Sequence, residues 1–78
     1  MSVLETVQNI IRDVLDEESL VLTMETTSDE IEGWDSLAQI NIVATIESEL
    51  HIKFDLNEIT KLRTVGIIVD MIERKLMH

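Results

Sequence analysis

Apolar residues recur at helical spacing along most of the chain, and that rhythm limits the fold more than any other feature. Val3, Leu4, Val7, Ile10, Ile11, Val14 and Leu15 follow i, i+3, i+4, i+7. This is the stripe of an amphipathic helix, and Glu5, Gln8, Asn9, Arg12 and Asp13 occupy its other face. A second stripe, Leu37, Ile40, Val43, Ile46 and Leu50, predicts a helix from Ser36 to about Leu50, widened by Ala38, Ile42 and Ala44. A short third element is expected to open at Asp55, because Glu58 three residues on completes a capping box; Leu56, Ile59 and Leu62 give it an inward face. Thr64 then caps a last helix carrying Val65, Ile68, Val69, Met71, Ile72 and Leu76, and Arg74 and Lys75 suit the negative end of its dipole. Between the first two helices, residues 16–35 lose the period and become rich in threonine and acids. Leu20-Val21-Leu22 has no partner strand and reads as loop, with Leu20, Leu22, Met24 and Ile31 expected to tie it to the body. The pattern predicts an all-α fold: a small four-helix bundle of three longer helices and one short one, with a long loop between helices 1 and 2.

The 78 residues make a single domain, 1–78. A chain this short buries only about 60% of its unfolded surface, so a roomy enclosed active site would consume too much of the core. Sixteen acids face six bases, a net charge of −10. No Lys or Arg falls between Arg12 and Lys53, while eleven of the acids lie in that interval, so one side is expected to be strongly negative. Such a surface excludes direct nucleic-acid binding and anionic membranes, and favours partners carrying a basic patch. With no cysteine there is no disulfide frame, thiol nucleophile or Cys-ligated zinc. The start, Met1-Ser2-Val3-Leu4-Glu5, lacks the basic and apolar run of a signal peptide, and no stretch approaches the roughly 18 apolar residues of a membrane span. The expectation is a cytoplasmic monomer without membrane insertion.

Catalytic motifs fail in turn. Gly33 and Gly66 cannot build a phosphate-cradling loop, and His51 and His78 have no metal-ligand spacing. A calcium loop set on Gly33 would put Ser28 first and Gln39 last, where the motif needs Asp and a bidentate Glu. No strand precedes Asp35-Ser36-Leu37 to form a nucleophile elbow. No catalytic residue and no metal site are therefore expected. Ser36 stands out by position, where the acidic loop meets the second helix. It reads as an N-cap, with Gln39 completing a capping box. A phosphodiester on its hydroxyl would also lie near the positive end of the helix dipole.

Gly33-Trp34-Asp35-Ser36-Leu37 resembles the attachment motif of acyl carrier proteins, in which Asp-Ser-Leu opens the second helix. Length, acidity, long first loop and helix order extend the resemblance over essentially the whole chain. It implies that Ser36 receives a 4′-phosphopantetheine arm from coenzyme A through a phosphopantetheinyl transferase, and that the thiol of the arm carries acyl groups as thioesters. It further implies that Asp35 assists the transferase and that Leu37 anchors partner enzymes. Those partners would be an acyl-loading ligase or acyltransferase, and a ketosynthase or other acyl-processing enzyme.

The second helix departs from the fatty-acid pattern, since Gln39, Ile40, Asn41 and Ile42 stand where acids are usual and acids return only at Glu47 and Glu49. Ile42 and Thr45 are expected to face outward, and Trp34, Gln39, Ile42 and Glu47 are the docking candidates, although the bulk of Trp34 favours packing. Val43, Ile46, Ile59, Leu62 and Ile68 are candidates for an acyl cleft as well as ordinary core. The departures leave polyketide, lipopeptide or cell-surface pathways open beside fatty-acid synthesis. A peptidyl or aminoacyl carrier with the same arm, and an unmodified acidic adaptor, are the alternatives.

Overall fold

The structure, a computed structural model, describes residues 2–77. His78, weighed above as a ligand, lies outside the described residues. Helix α1 spans Val3–Leu15, α2 Ser36–Leu50, α3 Leu56–Thr60 and α4 Val65–Leu76, with a 3-10 turn at Ser28–Glu30 inside the long loop. These are the four helices, three longer and one short, that the periodicity predicts.

Each helix starts where a side chain can satisfy its first amides. Ser2 opens α1, its Oγ accepting from the Glu5 amide (3.1 Å) while Glu5 reaches back to the Ser2 amide. Asp55 and Glu58 form the expected capping box of α3, and Thr64 accepts from the Ile67 amide (3.1 Å) to open α4. Asp16 and His51, both at φ 56°, end α1 and α2 in the left-handed conformation.

Helix α1 packs on α2 and on α4. Val7, Ile10 and Ile11 of α1 meet Ile42, Val43 and Ile46 of α2 and Val65, Ile68, Val69 and Ile72 of α4 in one buried cluster. Leu22, Trp34, Ile52, Phe54 and Leu62 close it from the connections. The inward face of α2 differs from the expected stripe. Leu37 and Ile40 are 67% and 61% exposed, whereas Ala38, Ile42, Val43 and Ile46 are buried. The first turns of α2 are apolar almost all round, so the period alone selects no face; packing against α1 chooses the 38–42–46 row. Leu56 also departs from expectation and is exposed. It is the first residue of a one-turn helix, ahead of the turn that brings Ile59 and Leu62 inward.

Helix α3 is fastened to α4 by Lys75, whose Nζ lies 2.9 Å from Glu58 Oε1 and 5.3 Å from the centre of the Phe54 ring. The Asp55 amide and then the Lys75 ammonium hold the Glu58 carboxyl below its ordinary pKa.

The long loop is strapped down at both ends. Arg12 Nε donates to Leu20 O (2.6 Å) and the Leu22 amide to Gln8 Oε1 (2.7 Å), so the polar face of α1 holds its first half. Leu22 is buried and Leu20 and Ile31 are partly buried. Met24, expected to tie the loop with its side chain, is instead 42% exposed and does so with its backbone. The Gly66 amide donates to Met24 O (2.8 Å), the Val65 amide to Thr26 O (2.9 Å) and the Ser28 amide to Arg63 O (2.9 Å). Thr27 and Thr64 form an isolated antiparallel bridge between these bonds. Position 66 must be glycine for this approach, because a Cβ there would stand 2.7 Å from Met24 O. Gly66→Ala, which improves helix propensity, is therefore expected to lower unfolding stability by about 1–3 kcal/mol, the cost of overpacking. Urea denaturation checks the sign.

Candidate functional site

Gly33, at φ +90°, turns the chain at the end of the loop. Trp34 is thereby sent inward, to 8% exposure, while Asp35 and Ser36 face solvent. The cap of α2 is Asp35, not Ser36: Asp35 Oδ1 accepts from the Ala38 amide (2.9 Å) and Asp35 O from the Gln39 amide (2.9 Å). Both residue types are good caps, and the extended backbone of Asp35 (φ −99°, ψ −170°) gives it the role. The Ser36–Gln39 capping box does not form. Ser36 is the first residue of the helix, exposed, with its hydroxyl outside the cap.

Gln39 is occupied elsewhere. Its Oε1 accepts from Trp34 Nε1 (2.6 Å) and its Nε2 donates to Leu62 O (3.2 Å), joining the pre-serine loop, α2 and the α3–α4 linker. Beside this chain lies a cleft of about 440 Å³ with Ser36 on its rim and Trp34, Gln39, Ile40, Ile59, Leu62 and Arg63 in its walls. The five acyl-cleft candidates divide here. Ile59 and Leu62 line the cleft, whereas Val43, Ile46 and Ile68 lie in the core behind it.

The docking candidates divide as well. Ile42 does not face outward: it is 1% exposed on the core row of α2. Trp34 is packed and Gln39 half-buried, while Glu47 Oε2 accepts from the Phe54 amide (2.8 Å) and anchors the α2–α3 connection. Thr45 is half-buried and bonds back to Asn41 O (2.8 Å). What α2 shows to solvent near Ser36 is Leu37, Ile40, Asn41 and Ala44, an uncharged stripe. Ile40 and Arg63 were missed as site residues. The spacing of Leu37 and Ile40 pointed inward rather than to the cleft, and nothing local to the sequence brings Arg63 into the lining that Ser36 shares. Among the described residues no group of three His, Cys, Asp or Glu is placed to hold a metal, and no helix is long and apolar enough to cross a membrane.

An exposed serine at a helix mouth, on the edge of a cleft in a small helical bundle, suits a tethering protein. Comparison with known proteins agrees. The family of the phosphopantetheine attachment site matches residues 5–72. Acyl carrier proteins of Streptococcus pyogenes serotype M1 and Streptococcus thermophilus are each 37% identical over 75 residues, covering 96% of this chain and 97% of the relative. The solution structure of holo acyl carrier protein from Geobacter metallireducens matches with a TM-score of 0.90 and 40% identity, over 99% of this chain and 88% of that one. The chain belongs to the acyl carrier protein family. It is a non-catalytic carrier with a covalently attached 4′-phosphopantetheine, and it serves acyl-processing enzymes.

The cap geometry separates neighbouring residues by stability. Asp35→Ala is expected to cost about 0.5–2 kcal/mol through the lost cap. Ser36→Ala should stay within about 0.5 kcal/mol of the unaltered protein, as surface changes do. Thermal or denaturant unfolding of the two variants checks the difference.

Proposed function

We propose that Ser36 is the attachment point of the arm, and that the chain acts as a cytoplasmic, monomeric, single-domain carrier. The observation that carries this reading is the exposed hydroxyl at the first position of α2, released from capping by Asp35 and set on the rim of the cleft. The residues present fit the group. The start of α2 favours an anion by about 0.3–1 kcal/mol when exposed, a gain that the Asp35 carboxylate opposes. The helix end therefore orients the phosphodiester more than it binds it. When attached, the arm supplies a terminal thiol for thioester formation, the reactive sulfur that a cysteine-free chain lacks. Ser36 moors that thiol, Gly33 and Trp34 fix the mooring against the bundle, and tethering keeps the cargo at high effective concentration for each visiting enzyme.

Partners in this reading are a phosphopantetheinyl transferase, which Asp35 assists, an acyl-loading ligase or acyltransferase, and a ketosynthase or similar acyl-processing enzyme. Leu37 and Ile40 are the apolar contacts offered to them, with the acidic loop as the steering surface. The uncharged stripe of α2 keeps a dedicated pathway, polyketide, lipopeptide or cell-surface, beside general fatty-acid synthesis in this reading. Incubation with coenzyme A and a promiscuous phosphopantetheinyl transferase, followed by intact mass, tests the attachment. One pantetheinyl addition is expected, and none in Ser36→Ala. An addition that persists in the folded Ser36→Ala protein would place the arm elsewhere.

A further inference from the structure

Neither the cap of α2 nor the core accounts for the bonds joining Trp34, Gln39 and Leu62. An indole N–H can only donate, so Trp34 Nε1 takes the carbonyl end of the Gln39 amide (2.6 Å). That choice leaves the amino end of Gln39 pointing at Leu62 O, which can only accept (3.2 Å). Trp34 thus sets the orientation in which Gln39 holds the α3–α4 linker against α2. Leu62 is the residue so held. It lines the cleft beside Ser36 and also belongs to the buried cluster that contains Val43, Ile46 and Ile68. At 2% exposure it is the wall between the open cleft and the core.

We propose that Gln39, oriented by Trp34, is a latch that sets how long an acyl group must be before it passes Leu62 into the core. The inference rests on Ser36 as the attachment point. Short or polar acyl groups remain in the cleft, within reach of visiting enzymes. A longer apolar chain enters only when its own burial outweighs the latch. One hydrogen bond is offset by about two buried methylenes, so losing one latch bond shifts the threshold by about two carbons.

Two substitutions separate the parts. Gln39→Glu keeps an acceptor for Trp34 but, as a carboxylate, has no donor for Leu62 O. Trp34→Phe keeps an aromatic ring, smaller than the indole, at the packed position and removes the N–H that orients Gln39. On the unmodified chain, amide hydrogen exchange reads the linker directly, because the Leu62 and Arg63 amides are bonded to Ile59 O and Lys61 O. Both variants are expected to exchange faster at these two amides, by up to about tenfold, the size of one hydrogen bond, while Ile10 and Ile11 in α1 keep their rates. Unchanged linker exchange, or equal acceleration in α1, would overturn the latch. On the pantetheinylated protein, a butanoyl-to-decanoyl series is then followed through the methyl signals of Val43, Ile46 and Ile68. Those signals should begin to move at chains about two carbons shorter in each variant than in the unaltered protein, and an identical onset in all three would overturn the proposal. Intact mass accompanies every loaded sample. Absence of loading at Ser36 would refute the attachment reading, and the exchange rates would still decide the latch.

Discussion

Helix α4 begins with amides that need acceptors, and the long loop brings carbonyls that need donors. The exchange between them, Val65 to Thr26 and Gly66 to Met24, is the constraint on which the rest of the molecule depends. Without it the connection from Asp16 to Asp35 would be held by the Arg12 and Gln8 bonds and by Leu20, Leu22, Ile31 and Trp34 alone, with nothing fastening residues 24–28 to α4. With it, the loop becomes a strap across one end of the bundle. The Ser28 bond to Arg63 and the Thr27–Thr64 bridge extend the strap, and the turn at Gly33 then delivers Trp34 inward and Ser36 outward. Ser36 owes its position to backbone bonds on a different helix from its own.

The sequence made much of this legible and hid the rest for identifiable reasons. The helix boundaries and the Asp55 and Thr64 caps could be read because they rest on local signals, apolar period and capping chemistry. The facing of α2 could not, because Leu37, Ala38, Ile40, Ile42, Val43 and Ala44 give nearly every side of the helix an apolar residue. Contact with α1 made the choice, which buried Ile42 and exposed Ile40. Asp35 and Ser36 are adjacent and both good caps, so sequence alone did not say which would close the helix. The strap was invisible because backbone groups form it, and backbone groups leave no compositional trace. Gly66 was its one written sign: a glycine within the otherwise apolar first turn of α4, required by a carbonyl from across the fold.

These positions determine what the carrier presents. Acids crowd the loop and the residues flanking it, whereas the face of α2 nearest Ser36 is neutral and apolar. In the function proposed above, long-range attraction to basic partners and short-range fit to an apolar pocket fall to different surfaces, one for encounter and the other for recognition. The absence of cysteine keeps the chain itself chemically quiet beside a thiol-bearing arm. Its contribution is placement: a serine held at a fixed mouth, a cleft beside it, and buried Leu62 between that cleft and the core.

The strap is measured most directly by NMR scalar couplings transmitted across hydrogen bonds, from the Val65 and Gly66 amide nitrogens to the carbonyl carbons of Thr26 and Met24. The account predicts both couplings in the same spectrum that shows those within α1 and α4. Their absence, with the helical couplings present, would contradict it and leave the second half of the loop without its fastening to α4.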